Sequence, residues 1–309
     1  MRLCAKAVSG QKVELKNPVS LLFDSEEGAP ADSLFASFAL DAPPPELCEV
    51  TAFDDDGVRF FAGVVDEQTQ SAGGDGALFS IAARGYAALL LDNEALPQTY
   101  QLPSLKLLYA RHAAPYGFAG VKGNLSAYTG KLQVNKGMSE WGVLSAFCRD
   151  YLKVTPVVTM DKALDATGNK EGARRVFGAS GIPVLSAEAS MKRCEEISEV
   201  YVRAGRDGGY KTLVKNPGAL LRGVKRRRYV NAGESTVTPV SFGSRLISEG
   251  EKKAFSLTLV CPGFVKAQVH DSALVNLPAF GLYEGLTIQK KKVVRRAQGE
   301  LTTLTLRRA

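Results

Sequence analysis

Two alternating runs meet across one tight turn near residue 54, and this pattern argues against a helical start to the chain. Leu47, Glu49, Thr51 and Phe53 precede Asp54-Asp55-Asp56-Gly57, and Val58, Phe60, Ala62 and Val64 come after it. A period of two marks a pleated strand with one buried face. Asp-Gly marks the turn, because Gly readily takes the positive φ that short hairpins require. Upstream, Leu34, Ala36, Phe38 and Leu40 alternate in the same way until Pro43–Pro45 stops the run. A second turn, Ser71 to Gly76, opens onto Ala77, Phe79, Ile81 and Ala83. Short strands and tight turns over the first hundred residues predict an antiparallel barrel or sandwich.

At Arg84-Gly85 the period changes. Tyr86 to Asp92 reads as a short buried helix. Pro103-Ser104 opens a second one, with Leu105, Leu108, Tyr109 and His112 on one face and Pro115 at its end. A third is expected from Ser139 to Leu152, with Ser139 as N-cap and Trp141, Leu144, Cys148 and Tyr151 at helical spacing. Val154 to Met160 reads as a strand, and Asp161 to Gly181 as a loop or hairpin. The last third returns to alternation at Val200 and Val202. A short helix is expected near Ser244 to Lys253, then strands through Phe255–Leu259 and Phe264–His270. A closing hairpin turns at Gln298-Gly299. The segment from Arg206 to Tyr229 is broken by Gly208-Gly209 and Pro217. The expected fold class is therefore α+β, mainly β: β-rich over 1–97, α/β over 98–184 and β-rich again over 185–309.

Composition narrows the chemistry. The 309 residues carry 39 Lys+Arg against 32 Asp+Glu, a balance of +7, with five Cys and two His. No run approaches the ~20 apolar residues of a membrane helix, and no apolar leader opens the chain, so no membrane anchor or signal peptide is expected. Cys4, Cys48, Cys148, Cys194 and Cys261 are scattered without a C-x-x-C pair, which predicts buried thiols in a reducing compartment. With His112 and His270 alone, no His-rich metal site forms, and no cofactor is expected. The Asp54–Asp56 cluster lacks the alternate carboxylates and terminal Glu of a calcium loop. Glu26-Glu27 and Glu195-Glu196 point to opposite faces of any strand and make no acid/base pair. His270-Asp271 would need a distant Ser to form a triad, yet there is no G-x-S-x-G elbow. Gly73-Gly74 and Gly208-Gly209 lack the Lys and strand-to-helix setting of a phosphate loop. No catalytic residue is predicted.

Clustered cations are the one asymmetry. Lys225, Arg226, Arg227 and Arg228 precede Tyr229; Lys290, Lys291 and Lys292, then Arg295 and Arg296, flank Val293-Val294; Arg307-Arg308 nears the end. Such runs attract polyanions through counterion release. On a strand, however, successive side chains alternate faces, so the second run makes no continuous stripe. Charged edges that resist unwanted pairing are an equal reading.

The element order resembles the hub proteins of phage tail baseplates, the Mu-like tail hubs and their prophage relatives. Gly63, Val64, Val65 and Asp66 match the G-hydrophobic-hydrophobic-D of an early strand. Arg84-Gly85 matches the end of the family's next strand, Leu90 and Asp92 match the L-x-D of its short helix, and Pro97 matches its proline. Ser139, Trp141, Val143 and Leu144 match the S-x-W-x-V-L helix. Gly299, Thr302, Leu304 and Leu306 match the closing hairpin.

The resemblance implies two antiparallel β-barrels separated by an inserted α/β domain, in a homotrimer around a channel. Three chains with two barrels each give six-fold pseudo-symmetry against a hexameric tail tube, and true three-fold symmetry against a trimeric spike. It implies a non-enzymatic part of the virion tail baseplate, assembled in the host cytoplasm with tube, baseplate and spike proteins as partners. DNA would contact it only non-specifically, in passage through the channel. The basic residues are then expected at assembly surfaces. The alternative is a monomeric basic β-barrel that binds nucleic acid or another polyanion; a cell-wall hydrolase ranks below both.

Overall fold

Strand periodicity dominates the structure as it does the sequence. The computed structural model describes residues 1–40, 42–73, 76–168, 172–203, 209–232 and 238–308. The expectations that rest on Gly74, Arg206 and Gly208, and on 169–171 of the 161–181 loop, lie outside the described residues. The chain divides into two compact units, Met1–Glu171 with Lys291–Thr302, and Gly172–Lys290 with Thr303–Ala309.

In the first unit the opening strands are β1 (Arg2–Ala7), β2 (Lys12–Lys16), β3 (Ser20–Glu26), β4 (Ser33–Ala39), β5 (Leu47–Phe53), β6 (Arg59–Gly73) and β7 (Gly76–Gly85). Their hydrogen-bonded order is β3-β4-β7-β6-β5-β1-β2, with the C-terminal hairpin beyond β3. Register carries the alternation across the sheet. Leu34, Ala36 and Phe38 sit opposite Ala83, Ile81 and Phe79, and Leu3 sits opposite Ala52, all buried. Burying Phe38, Phe61 and Phe79 stabilises the sheet by about 2–3 kcal/mol each. The Asp54 turn is a hairpin turn. Asp54 Oδ1 accepts from the amides of Asp56 (3.0 Å) and Val58 (2.7 Å), and Gly57 takes φ 79°.

The helical segment after β7 has its own apolar cluster. Helix α1 (Ala88–Leu91), β8 (Gln98–Gln101), α2 (Leu105–His112), β9 (Gly120–Lys122), β10 (Lys131–Val134), α3 (Glu140–Phe147), β11 (Val157–Val158) and β12 (Ala163–Asp165) surround Leu105, Leu108, Val143, Leu144 and Phe147. Ser104 and Ser139 cap α2 and α3, accepting from the amides of Leu107 (3.2 Å) and Gly142 (3.1 Å). The expected helix through Leu152 is α-helical only to Phe147 and continues as one π-turn, Cys148–Leu152. The expected strand over 154–160 shrinks to two residues, and the 161–181 stretch, expected as a loop or hairpin, contributes two strands that pair elsewhere, Ala163–Asp165 and Arg174–Gly178.

The second unit contains β13 (Arg174–Gly178), β14 (Ser186–Met191), β15 (Glu199–Arg203), β16 (Thr212–Lys215), α4 (Pro217–Leu221), β17 (Arg227–Asn231), α5 (Pro239–Ala254), β18 (Phe255–Pro262), β19 (Ser272–Leu277), β20 (Gly281–Arg296) and β21 (Gly299–Arg308). Strand order is β14-β18-β21-β20, with β19 on β20 and β13 parallel to β19. Leu257, Leu259, Cys261, Val275, Ile288, Leu304 and Leu306 form its core. The helix expected near 244–253 is longer, because Thr238 caps it and Pro239 starts it. The alternation at Phe264–His270 forms no strand; the Asp271 carboxylate accepts from the amides of Gln268 (3.0 Å) and Ala173 (2.8 Å) and folds that segment into a turn.

Beside this core, β16-β15-β17 make a separate three-stranded sheet with α5 packed on one face through Val200, Val202, Val214 and Ile247. In neither unit is the strand order closed on itself among the described pairings.

Candidate functional site: a motif junction and two basic runs

Five of the positions that carry the sequence resemblance, Gly63, Asp66, Arg84, Gly85 and Asp92, meet around one guanidinium. Gly63 lies opposite Gly85 so closely that a Cβ on Gly63 would sit 2.0 Å from the Arg84 carbonyl oxygen. Register shifts between Val65 and Glu67, so Asp66 is the extra residue of a β-bulge. A bulge re-aims a side chain, and this one brings Asp66 to Arg84. Arg84 donates from Nε and Nη2 to the two Asp66 oxygens (2.7 and 2.9 Å). It also donates from Nη1 and Nη2 to Asp92 (3.1 and 2.6 Å), just past α1. These carboxylates push the Arg84 guanidinium well above its usual range, and Arg84 in turn holds Asp92 below the usual carboxylate range. The junction ties the β6–β7 hairpin to the start of the helical segment. Its chemistry is to fix an angle in the chain.

Below that segment lies a buried polar chain. His112 contacts Tyr100 Oη through Nε2 (2.9 Å) and Glu140 through Nδ1, and Tyr116 donates to Glu140 Oε1 (2.9 Å). His112 and Glu140 are both buried, so this set links α2 and α3 and is closed to a substrate. Sequence reasoning put His112 on an apolar helix face, as a packed or a surface histidine, and missed Glu140 as its partner; nothing in the spacing of residues 112 and 140 signals the pair. In the second unit, Asp271 accepts from Arg175 Nε (2.7 Å) and from the amides of Ala173 (2.8 Å) and Gln268 (3.0 Å). The cysteines are all free. Burial pushes Cys148 up to about 12 and Cys261 up to about 11, whereas Cys194 is exposed, contrary to the expectation of uniformly buried thiols.

The two basic runs are placed very differently. Lys291 is 4% exposed, with its ammonium 5.9 Å from the Phe23 ring and acting on the half-buried Asp32 carboxyl. Arg295 lies 3.6 Å from both Asp55 and Glu300. Lys290 and Lys292 are half-buried, and only Arg296 of this run is exposed. By contrast, Lys225, Arg227 and Arg228 are exposed, and Arg226 is half-buried. Register puts Arg227 with Glu199 and Arg228 with Val200, on opposite faces of the small sheet. Arg227 pairs with Glu199 (2.8 Å) and lies over Tyr201, 5.1 Å from its ring centre. Lys225, Arg226, Arg227, Arg228 and Lys290 fall in the second unit, and Lys291, Lys292, Arg295 and Arg296 in the first.

No family model matches the sequence, and no curated protein matches it. Solved structures do. The chain matches the tail protein from Neisseria meningitidis MC58 with a TM-score of 0.76 and 16% identity, over 99% of this chain and 96% of that one. It matches the prophage MuSo2 43 kDa tail protein from Shewanella oneidensis with a TM-score of 0.78 and 14% identity, over 100% and 98%. It also matches the Escherichia coli c3393 protein, a type VI secretion component described as similar to the T4 tail proteins gp27 and gp5. That match has a TM-score of 0.58 and 9% identity, over 94% and 73%. The chain therefore has the fold of phage and prophage tail proteins, from end to end.

Proposed function

We propose that this chain is a structural hub of a phage or prophage tail baseplate. It acts as a homotrimeric ring that adapts a hexameric tail tube to a trimeric spike. The observation that carries the reading is the end-to-end fold match to prophage tail proteins, with nearly all of each neighbour covered. The likeness of a secretion-system component to the same fold supports spike-type partners. Each β-rich part, 1–97 and 185–309, supplies one barrel of the ring, and 98–184 is the inserted domain; the separate apolar cluster over 90–166 supports an inserted domain, whereas Phe177 packs with the second unit's core. Two similar barrels per chain turn three-fold symmetry into six similar positions, which is what a tube-to-spike adaptor requires. The role is non-enzymatic, and DNA passes through the bore without sequence-specific contact. A bore that held phosphate tightly would obstruct that passage, so the basic runs serve assembly surfaces and the internal fold.

Negative-stain images of the purified protein test the reading. Rings with a central hole and three-fold averages are expected. Compact particles with no hole, at every concentration, would contradict it.

A further inference from the structure

The two units differ sharply in charge. The first carries 19 Lys+Arg and 22 Asp+Glu, a balance of −3, and the second carries 20 and 10, a balance of +10. On the second unit the β16-β15-β17 sheet has one face under α5 and the other without a packed element among the described residues. Register places Glu199, Tyr201 and Arg203 on that open face, flanked by Leu213 and Lys215 on one side and Arg227 and Tyr229 on the other. Tyr229 is 56% exposed, Tyr210 44% and Leu213 38%. The rings are pre-ordered: Tyr201 and Tyr229 stack at 5.1 Å, and Tyr210 meets Tyr229 edge-on at 5.3 Å. Tyr and Arg held rigidly around an apolar centre are the composition of a protein-binding hot spot.

Nucleic acid fits this face poorly. Base stacking needs an open ring face. Tyr201 is covered by Tyr229 on one side and approached by the Arg227 guanidinium at 5.1 Å, and Tyr229 is bordered by both other rings. What the face offers outward is ring edges, the Leu213 side chain and the exposed ammonium groups of Lys211 and Lys215.

We propose that this aromatic-basic face docks against the acidic first unit of a second copy of the chain, and that this contact closes the ring. The inference rests on the trimeric hub reading. A closed ring needs a heterologous interface, in which one patch meets a different patch on the next copy. Units of opposite charge supply that directionality: first unit against second attracts, and second against second repels. Glu46 and Glu67 on the first unit are both exposed. They are the acidic positions assigned to the contact.

Sedimentation velocity of the full chain tests this, with circular dichroism to confirm folding. The wild type is expected to be a trimer at about 50 mM salt and to dissociate toward about 500 mM, where exposed charges are screened. Lys211→Glu/Lys215→Glu should weaken the trimer at least tenfold. Tyr229→Ala should weaken it about tenfold by an uncharged route, and Glu46→Lys/Glu67→Lys should restore the lysine variant. A trimer indifferent to salt and to both face variants overturns the docking face but leaves the hub reading standing. A monomer under all conditions overturns both. Retention of duplex DNA by the wild type, lost in the face variants, overturns the proposal and assigns the face to a polyanion.

Discussion

The two basic runs use the same residue types to opposite ends. Lys290–Lys292 with Arg295 and Arg296 lies on a long strand whose phase turns Lys291 inward, among the first unit's carboxylates. Lys225–Arg228 approaches and enters an edge strand of a small sheet and stays largely exposed. One run turns a lysine into the fold; the other stays mostly at the surface. What separates them is the supply of nearby acids. The first unit has an excess of carboxylates to absorb cations, and the second has twice as many cations as carboxylates.

Breaking the inward run should have the largest effect. Lys291→Glu puts a second negative charge near Asp32 at a buried position. It is expected to cost about 4 kcal/mol in urea unfolding, since reversing a buried charge leaves its partners uncompensated. Gly63→Ala asks how tightly the same unit is built. Its Cβ would meet the backbone oxygen of Arg84, so the Asp66–Arg84–Asp92 junction must shift, at a cost of about 3 kcal/mol on thermal melting.

A smaller effect lies in pH dependence. Burial holds the Asp32 and Glu300 carboxyls above the ordinary carboxylate range. The native state therefore binds more protons there than the unfolded chain does. Their contribution to stability is full below the unfolded carboxylate range and is lost as pH rises through the raised native values. Asp32→Asn should flatten that decline in melts between about pH 4 and pH 7, relative to wild type. The smallest effect is Arg228→Glu, within about 0.5 kcal/mol of wild type on stability. A cost there comparable to that of Lys291→Glu would erase the distinction between the runs.

Local pattern made the strands and caps legible. The period of two around Asp54-Gly57 yields β5 and β6, and Ser104 and Ser139 before apolar runs yield α2 and α3. The bulge at Asp66 was not legible, because a bulge is a mismatch between two strands and leaves no mark on either alone. The strand expected at Phe264–His270 failed for a similar reason: Asp271 captures its backbone from outside the run. The resemblance positions named Asp66, Arg84 and Asp92 without showing that they meet. The aromatic-basic face was half visible. Arg227 and Tyr229 stood out as a run, but Tyr201 joins them only through parallel pairing across an intervening strand and helix, and Tyr210 only through its ring contact with Tyr229, which no sequence period encodes.

Amine-reactive labelling of native protein, read by mass spectrometry at low and high salt, tests the central distinction most directly. Lys291 should stay unlabelled in both conditions. Lys211 and Lys215 should be protected in the low-salt assembly and react freely once it dissociates. Labelling of Lys291 at the rate of a surface lysine, or equal labelling of Lys211 and Lys215 in assembled and dissociated protein, would contradict the account.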